Sequence, residues 1–347
     1  MFVKAVSAIS PQKTHNLDFE KGDFQVHEGL KFNAFEPHYL DFIPAGLLRR
    51  MGKAVRMGIG ASMSLIKDYP KFDGIILSTA NGGLEDCVKF LNQIVDYQEG
   101  VLTPTNFVQS TPNAVAGQLA LMTKTNQYNN THVNGSLAFE NALVDAQMVM
   151  ESHDSNTIIL LGAVEEISDY QFNIDQLSHR FKTEHLTNYT LFDSKSPGSI
   201  CGEGATMFVL SSEPKNARAE IVDVAQITYP TKDSLSIVVD AFLQKNKLTN
   251  SDIDVLITGK NGDSRTDHWY DFVKYNSFSQ ADEIHFKHFV GEYRTASAFG
   301  VYLAVQILSE KISQATIKIS KKPKFVLVYN HFDGIRHGFV LLKSVLI

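Results

Sequence analysis

The chain has few cysteines, no excess of positive charge and no long apolar run. Its 347 residues include only two cysteines, Cys87 and Cys201, which argues against a disulfide scaffold and a cysteine-ligated metal cluster. Its formal net charge of −6 argues against a nucleic-acid partner. No apolar run approaches about 18 residues, and the start MFVKAVSAISPQK lacks the apolar core of a signal peptide. These absences predict a cytoplasmic globular protein without a membrane partner.

Cofactor signatures are missing as well. The sequence has no glycine loop with the spacing that cradles a phosphate, and no cluster of residues with metal-ligand spacing. We therefore expect neither a cofactor nor a metal. A length of 347 residues predicts two domains or one large duplicated unit, and 44% hydrophobic residues can form a sizeable core.

Strand and helix patterns alternate along the first half of the chain. Short apolar runs at 73–79 and 157–163 are typical of buried strands. One helical pattern, at 45–66, precedes the first run, and further helical patterns lie between the two runs. This order predicts an α/β fold with parallel pairing. The polar stretch at about 169–200 has no clear period, which predicts a long surface insertion. A second long helix is predicted over 291–312.

The stretch 129–151, NNTHVNGSLAFENALVDAQMVME, organises this pattern. It predicts a tight turn followed by a helix that is apolar nearly all round and therefore buried. In many α/β enzymes such a turn carries a nucleophile, because a helix N-terminus stabilises an anion. Here the turn offers His132, Val133 and Asn134 and has no thiol. Ser136 lacks an adjacent general base, so packing is the simpler explanation for it.

An internal repeat relates this helix to the second long one. Ala138-Phe139 with Leu143 parallels Ala298-Phe299 with Leu303. Six residues before the two alanines stand His132 and Glu292. The repeat predicts two equivalent halves, 1–212 and 213–347, with both helix N-termini meeting at the centre. Chance similarity between two Ala/Phe/Leu-rich helices is the alternative.

Several motifs occur in one order along the chain. They are Arg49-Arg50-Met51, Pro104, Pro112-Asn113 with Ala116-Gly117-Gln118, Phe192-Asp193 with Gly202-Glu203-Gly204-Ala205, Ile253-Asp254, Lys287 with Gly291 and Ala296, and Phe332 with Gly334. The ordered set resembles the β-ketoacyl-acyl carrier protein synthases, the condensing enzymes of the thiolase fold. The resemblance implies an α/β, thiolase-like fold with duplicated αβαβα layers and pseudo-two-fold symmetry.

The departures from that family concern its Cys-His-His triad. By resemblance, the cysteine position falls at His132. It falls at Val133 if the comparison with the family is aligned on Ser136-Leu137 instead. The first histidine falls at Gly259, or within a loop that continues through Lys260 and Asn261. The second falls at Glu292. Since a condensing enzyme needs a thiolate to hold the acyl group, the family's chemistry is expected to be lost or changed.

His132 and Glu292 would face each other if the repeat is structural. They would form either a structural pair in a vestigial site or an acid–base pair with new chemistry. Cys201, beside the family's pocket, could carry a reactive thiol, whereas Cys87 is expected to be a buried small hydrophobe.

Three functions are compatible with this pattern. The first is a non-catalytic, chain-length-factor-type partner of an active ketosynthase in fatty acid or polyketide synthesis, possibly of aryl polyenes. The second is a thiolase-fold enzyme of the acyltransferase superfamily with altered chemistry. It would decarboxylate or hydrolyse a malonyl or acyl thioester with His132 and Glu292, and backbone N–H groups of residues 132–134 would form an oxyanion hole. The third is a homodimeric acyl-binding protein.

The resemblance also assigns surfaces. Asn106 and Phe107, in the interface loop after Pro104, would limit chain length in a partner's tunnel. Carrier proteins are acidic, so docking requires a basic patch. Its expected residues are Arg49, Arg50, Lys53 and Arg56. The expected partners are a ketosynthase subunit or a second copy, together with an acyl carrier protein.

Overall fold

The computed structural model describes residues 1–153, 156–312 and 314–345. The strands are β1 (Phe2–Ile9), β2 (Glu28–Gly29), β3 (Lys31–Phe32), β4 (Gly74–Ser78), β5 (Tyr128–His132), β6 (Ile158–Glu165), β7 (Leu186–Thr187), β8 (Cys201–Gly202), β9 (Gly204–Ser211), β10 (Ala219–Thr228), β11 (Val255–Thr258), β12 (Asp282–His285), β13 (Phe325–Phe332) and β14 (Arg336–Lys343). The predicted buried strands at 73–79 and 157–163 are confirmed as β4 and β6.

The helices are α1 (Ala45–Leu48), α2 (Lys53–Asp68), α3 (Leu84–Asp96), α4 (Pro104–Gln109), α5 (Ala114–Thr123), α6 (Ala138–Glu151), α7 (Asp169–Leu177), α8 (Lys232–Lys245), α9 (His268–Ser277), α10 (Lys287–Val290), α11 (Ser297–Leu308) and α12 (Gln314–Ile317). Single 3-10 turns lie at Tyr39–Asp41, Gly135–Leu137, Leu191–Asp193 and Asn250–Asp252. In the described part of the chain, no helix combines the length and apolar character that a membrane span requires.

Ten strands form one mixed sheet whose order repeats. The first half runs β5-β4-β6-β9-β1 and the second runs β12-β11-β13-β14-β10, with the halves joined where β1 pairs with β10. In each half the first three strands are parallel and the last two pair antiparallel. The predicted parallel pairing is therefore confirmed for β4 and β6, while β9 separates β6 from β1. The duplicated fold is confirmed. The boundary at residue 212 stays a prediction.

Helices cover this folded sheet in layers. The two central helices, α6 and α11, share one apolar core with strands from both halves. Helices α2 and α5 pack on the outer face of the first half, and α8 and α9 on that of the second. This gives the predicted αβαβα order. Every residue of α11 is buried, as expected for a helix that is apolar nearly all round.

Some local predictions were wrong. Residues 129–132 are not a turn, because their backbone pairs with β4 as edge strand β5. The second long helix begins at Ser297 rather than at 291. Gly291 has a φ of +76°, and the backbone of Glu292 forms a parallel bridge with Cys201 of β8 instead of a helical turn. The predicted helix 45–66 is interrupted by an extended Gly52 between α1 and α2.

The stretch 169–200 is more than a surface insertion. It forms α7, and its Phe172 ring stacks on Phe181 with centroids 5.5 Å apart. Its strand β7 pairs with β2, and β8 just beyond pairs with β3. Since Phe172, Phe181 and Leu191 are buried, this stretch packs against the body of the protein and helps to form the pocket described below.

Candidate functional site

The first turn before a central helix joins β5 to α6. His132 ends β5, and its Nε2 lies 2.8 Å from Asp145 Oδ2 on α6. Asn130 Nδ2 donates to the same carboxylate at 3.0 Å, and the Tyr128 hydroxyl donates to Asp145 Oδ1 at 2.9 Å. The side chains of His132 and Asp145 are 22% and 15% exposed. This is a solvent-accessible polar network at the edge of the sheet.

The rest of that turn does not enclose a reaction centre. Val133 and Asn134 are exposed, so backbone donors there would act in contact with water, where an oxyanion gains least. Gly135 follows with a φ of +79°. Ser136 is buried, and its hydroxyl has no partner within the described residues. The turn contains no thiol.

The second turn, between α10 and α11, is buried. Lys287 Nζ donates to Glu292 Oε2 at 2.6 Å, and Asn261 Nδ2 donates to the same oxygen at 2.5 Å. Lys287 is 0% and Glu292 is 5% exposed. Burial raises the pKa of Glu292. The charge of Lys287 and the hydrogen bonds from Lys287 and Asn261 lower that pKa in part. The other oxygen, Oε1, has no hydrogen-bond partner among the described residues.

The loop at the first histidine position contributes one residue to this cluster. Asn261 is held by Asp267, whose carboxylate accepts its backbone N–H at 3.1 Å. Lys260 instead pairs with Asp271 at 2.7 Å. At Gly259, a Cβ atom would lie 2.1 Å from Asn330 Oδ1, so a histidine there would require repacking. Asn261, Lys287 and Glu292 together form what we call the buried polar cluster.

The predicted pairing of His132 with Glu292 does not occur. Within 1–153, 156–312 and 314–345, no hydrogen bond or ion pair joins them: His132 contacts Asp145, and Glu292 contacts Lys287 and Asn261. The physical reason lies in the connections. β5 leads almost directly into α6, whereas α10 is inserted between β12 and α11 and carries Glu292 into the interior.

A narrow pocket opens beside Glu292. Its volume is about 40 Å³, room for a few water molecules and not for an acyl chain. The lining includes Glu292, Cys201, Arg294, Phe332 and Glu165. Burial raises the pKa of the Cys201 thiol far above its ordinary value, so this cysteine is a thiol rather than a thiolate nucleophile.

Three buried acids of this region were not predicted as site residues. Burial raises the pKa of Glu140, Glu165 and Glu166 to about 7 in each case. Glu165 accepts backbone N–H groups of Ala80 and Asn81. Glu140, a lone acid among the apolar residues that open α6, offered a sequence signal, since a buried charge needs a partner. Lys287 lowers its pKa in part.

The predicted basic patch is partly neutralised. Arg56 forms two hydrogen bonds with Glu36, at 2.7 and 3.0 Å, and Lys53 lies 2.5 Å from Glu203. Arg49 and Arg50 remain exposed. They line one surface groove together with Asn106, so the structure brings these predicted residues together.

Phe107, the other predicted tunnel residue, is 57% exposed. Its ring lies 5.4 Å from that of Phe90 on α3. Cys87 is half-buried rather than fully buried. In the described ranges, no group of three His, Cys, Asp or Glu side chains is arranged to hold a metal ion.

Known proteins resemble this chain in part of its sequence and in its overall fold. A family model for the β-ketoacyl synthase N-terminal domain matches residues 25–186. No curated protein matches the chain in sequence. The ishigamide ketosynthase/chain length factor has a TM-score of 0.75 and 13% identity, covering 99% of this chain and 98% of that one.

Two complexes are similar in fold. The ketosynthase (ApeO) in complex with its chain length factor (ApeC) from Xenorhabdus doucetiae gives a TM-score of 0.73 with 12% identity, covering 99% of this chain and 98% of that one. AntDE:AntF, a type II polyketide synthase acyl carrier protein in complex with its ketosynthase, gives 0.75 with 12% identity and 99% coverage of both. Over residues 25–186 the chain thus matches the β-ketoacyl synthase N-terminal domain, and over its length it has the fold of ketosynthases and chain length factors.

Proposed function

We propose that this protein is a chain-length-factor-type subunit that pairs with an active ketosynthase and performs no condensation itself. The observation that carries the proposal is the buried polar cluster. By resemblance, the second catalytic histidine falls at Glu292 and the first at Gly259 or within 259–261. Glu292 Oε2 accepts hydrogen bonds from Asn261 of that loop and from Lys287. The position of the acyl-accepting cysteine falls at His132, the last residue of β5, or at the exposed Val133, and neither side chain is a thiol.

Condensation chemistry argues in the same direction. Transfer of an acyl group to the protein requires a nucleophilic thiolate, and loss of carbon dioxide requires donors aimed at the developing anion. Cys201 is buried with a raised thiol pKa. Lys287 is a donor, but Glu292 already accepts from it at 2.6 Å. Lys287 and Asn261, the two donors of the cluster, are therefore both engaged with Glu292 Oε2.

An unpaired sheet edge supports a protein partner. Within the described residues β5 pairs only with β4, which leaves its other edge open. Beside it, the apolar side chains of Val144 and Met148 on helix α6 are 37% and 64% exposed. Exposed apolar side chains continue over α3 to α5: Leu91, Val95, Val101, Phe107, Val108 and Leu121. A surface of this kind is typical of a protein–protein interface.

The same surface suggests how a partner and a carrier would be bound. Phe107 would project from the interface toward the partner's acyl tunnel, with Asn106 beside it. Arg49 and Arg50 would attract an acidic carrier protein at the adjoining groove. We extend the proposal to polyketide or fatty acid synthesis, including aryl polyenes, to a cytoplasmic location, and to a division of the chain into 1–212 and 213–347.

The test is co-expression with ketosynthases that have an intact triad. We expect one of them to copurify as a 1:1 complex whose mass is measured by light scattering after size exclusion. Met148→Glu should abolish that complex, because it places a charge in the apolar interface. Leu177→Glu, at an 83% exposed position on α7, is the matched control and should leave the complex intact. A stable homodimer with copurified lipid would instead favour an acyl-binding protein.

A second function, thioester decarboxylation or hydrolysis, is favoured by one observation. Glu292 Oε1 is buried without a partner and lines the pocket next to Arg294. An acid with a raised pKa in such a place can exchange protons with a substrate or a water molecule. This function predicts that the isolated protein consumes malonyl-carrier protein and that Glu292→Gln abolishes the activity. Retained activity in that variant would exclude this role of Glu292.

A further inference from the structure

A groove on the outer face of the first half lies between β1 and α2. Its volume is about 420 Å³, within the range of small-molecule sites. The lining residues are Ser7, Ile9, His15, Pro37, Phe42, Gly60, Met63, Ser64 and Lys67. None of them lines the pocket at Glu292, so the groove is separate from the buried polar cluster.

The floor of the groove is apolar and fixed in shape. Ile9 is only 1% exposed, and Phe42 packs edge-on against Tyr39 with ring centroids 5.9 Å apart. Met63 forms one wall, and its flexible thioether side chain adapts to irregular apolar ligands. Gly60 allows close packing under the groove: a Cβ there would lie 2.5 Å from Tyr39 Cε1 and 2.9 Å from Ile9 Cδ1.

The rim carries charge of one sign. Lys67 is exposed and has no ion pair among the described residues. No aspartate or glutamate lines the groove, although acids outnumber bases in the chain by 38 to 32. His15, Ser7 and Ser64 add groups that can donate hydrogen bonds. An apolar trough with one unpaired cation fits a ligand that has an apolar tail and an anionic head.

We propose that this groove binds a medium-chain carboxylate, with the carboxylate at Lys67 and the alkyl chain along Ile9, Phe42 and Met63. The site is open at the surface, so it exchanges ligand without movement of the core. It does not rest on the proposed partner function. A failure of either proposal leaves the other untouched, because the interface and the groove share no residue.

The first experiment is calorimetric titration of the whole protein with hexanoate, octanoate and decanoate below their micellar concentrations. We expect affinity to rise with chain length, by up to about fourfold for each additional methylene that is buried. Decyltrimethylammonium, with the same tail and a positive head, should bind much more weakly. Decyl phosphate distinguishes a carboxylate site from a general anion site, and tighter binding of it than of decanoate would overturn the assignment to a carboxylate.

Variants then locate the site. Lys67→Glu should weaken decanoate binding about fivefold or more, since an attractive charge becomes repulsive. Lys71→Glu, an equal charge change at an exposed residue just beyond α2, is the control and should bind as the parent does. Ser64→Trp should block the groove from an exposed position, which avoids disturbing the core. Absence of saturable binding, or equal loss in Lys67→Glu and Lys71→Glu, would overturn the proposal.

Discussion

The two turns that precede the central helices occupy equivalent places in a duplicated topology, yet their environments are opposite. The turn before α6 is partly exposed, and His132 pairs with Asp145 near the surface. The turn before α11 is buried, and Glu292 depends on Lys287 and Asn261. A polar side chain near the surface can therefore be replaced at little energetic cost, whereas a buried charge must keep a compensating partner.

The halves also differ in their buried titratable groups. In the first half, burial raises the pKa of Glu140, Glu165 and Glu166 to about 7. In the second, burial lowers the pKa of His337 to about 4 and that of His331 well below its ordinary value. Burial thus favours the neutral acid at these three glutamates and the neutral base at these two histidines. These two sets of residues should respond to pH in opposite directions.

The largest expected effect comes from breaking the buried ion pair. Lys287→Met leaves Glu292 buried without its cation, and removal of one partner of such a pair costs about 3–5 kcal/mol. We expect the free energy of unfolding, measured by urea denaturation, to fall by that amount.

The double variant Lys287→Met/Glu292→Leu is the control for that experiment. It removes both charges and should recover much of the loss. If the single variant were as stable as the parent, Glu292 would not be held by charge pairing, and the contrast between the two turns would be wrong.

The two glycines of the turns give the next effect. Gly291 and Gly135 have φ values of +76° and +79°. A Cβ at Gly291 would lie 2.6 Å from the backbone Cα of Gly202, whereas one at Gly135 would meet the flexible guanidinium of Arg336 at 2.7 Å. We expect thermal or urea unfolding to show a loss of about 3 kcal/mol or more for Gly291→Ala and about 1 kcal/mol for Gly135→Ala. Equal losses would contradict the account.

The pH dependence tests the second contrast. The ordinary pKa of His337 is 6.5 and its folded value is about 4, so between these pH values only the unfolded state binds the proton. Stability from His337 is therefore lost as pH falls from 6.5 to 4, by up to about 1.4 kcal/mol per pH unit. The pKa of Glu140 rises from 4.5 to about 7 on folding, so its stability is lost as pH rises through that window.

Hydrogen exchange followed by mass spectrometry resolves the two halves. Amides of β13 and β14 should lose protection as pH decreases from 6.5, after correction for the intrinsic exchange rate. Amides around Glu140 in α6 should lose protection as pH increases from 4.5. Glu140→Gln should remove most of the second effect. If protection in both regions changed in the same direction with pH, the predicted opposite pH responses would be wrong.

The smallest effect is expected at the exposed turn. The His132–Asp145 contact is solvent-accessible, and such pairs contribute about 1 kcal/mol or less. A double-mutant cycle with His132→Ala and Asp145→Ala should give a coupling energy in that range by urea denaturation. A coupling as large as that between Lys287 and Glu292 would mean that His132 retains a more demanding role.

Much of the fold could be predicted because its strands and central helices are strongly patterned. Continuous apolar runs identified β4 and β6, and the Ala/Phe/Leu repeat identified α6 and α11 as equivalent. The 129–132 turn was missed because an edge strand of polar residues such as Asn129 and Asn130 has no apolar alternation. Its strand form depends on pairing with β4.

The site was only partly predictable. Glu292 and the Gly259–Asn261 loop followed from the family resemblance, and Asn261 does contact Glu292. The pairing with His132 failed because counting back from a helix gives a position in the chain and not its surroundings. His132 ends the edge strand β5, whereas Glu292 follows the buried helix α10. The salt bridges of Lys53 and Arg56 join residues that are far apart in sequence, so spacing alone could not reveal that half of the basic patch is neutralised.

The most direct test of the central claim, a ketosynthase fold without condensing chemistry, is intact-mass spectrometry of the pure protein after incubation with acyl- and malonyl-carrier protein. Loss of the malonyl thioester is followed in the same samples. The account predicts no acyl adduct and no turnover. A covalent adduct, or decarboxylation that disappears in Glu292→Ala, would contradict it and identify the protein as an enzyme.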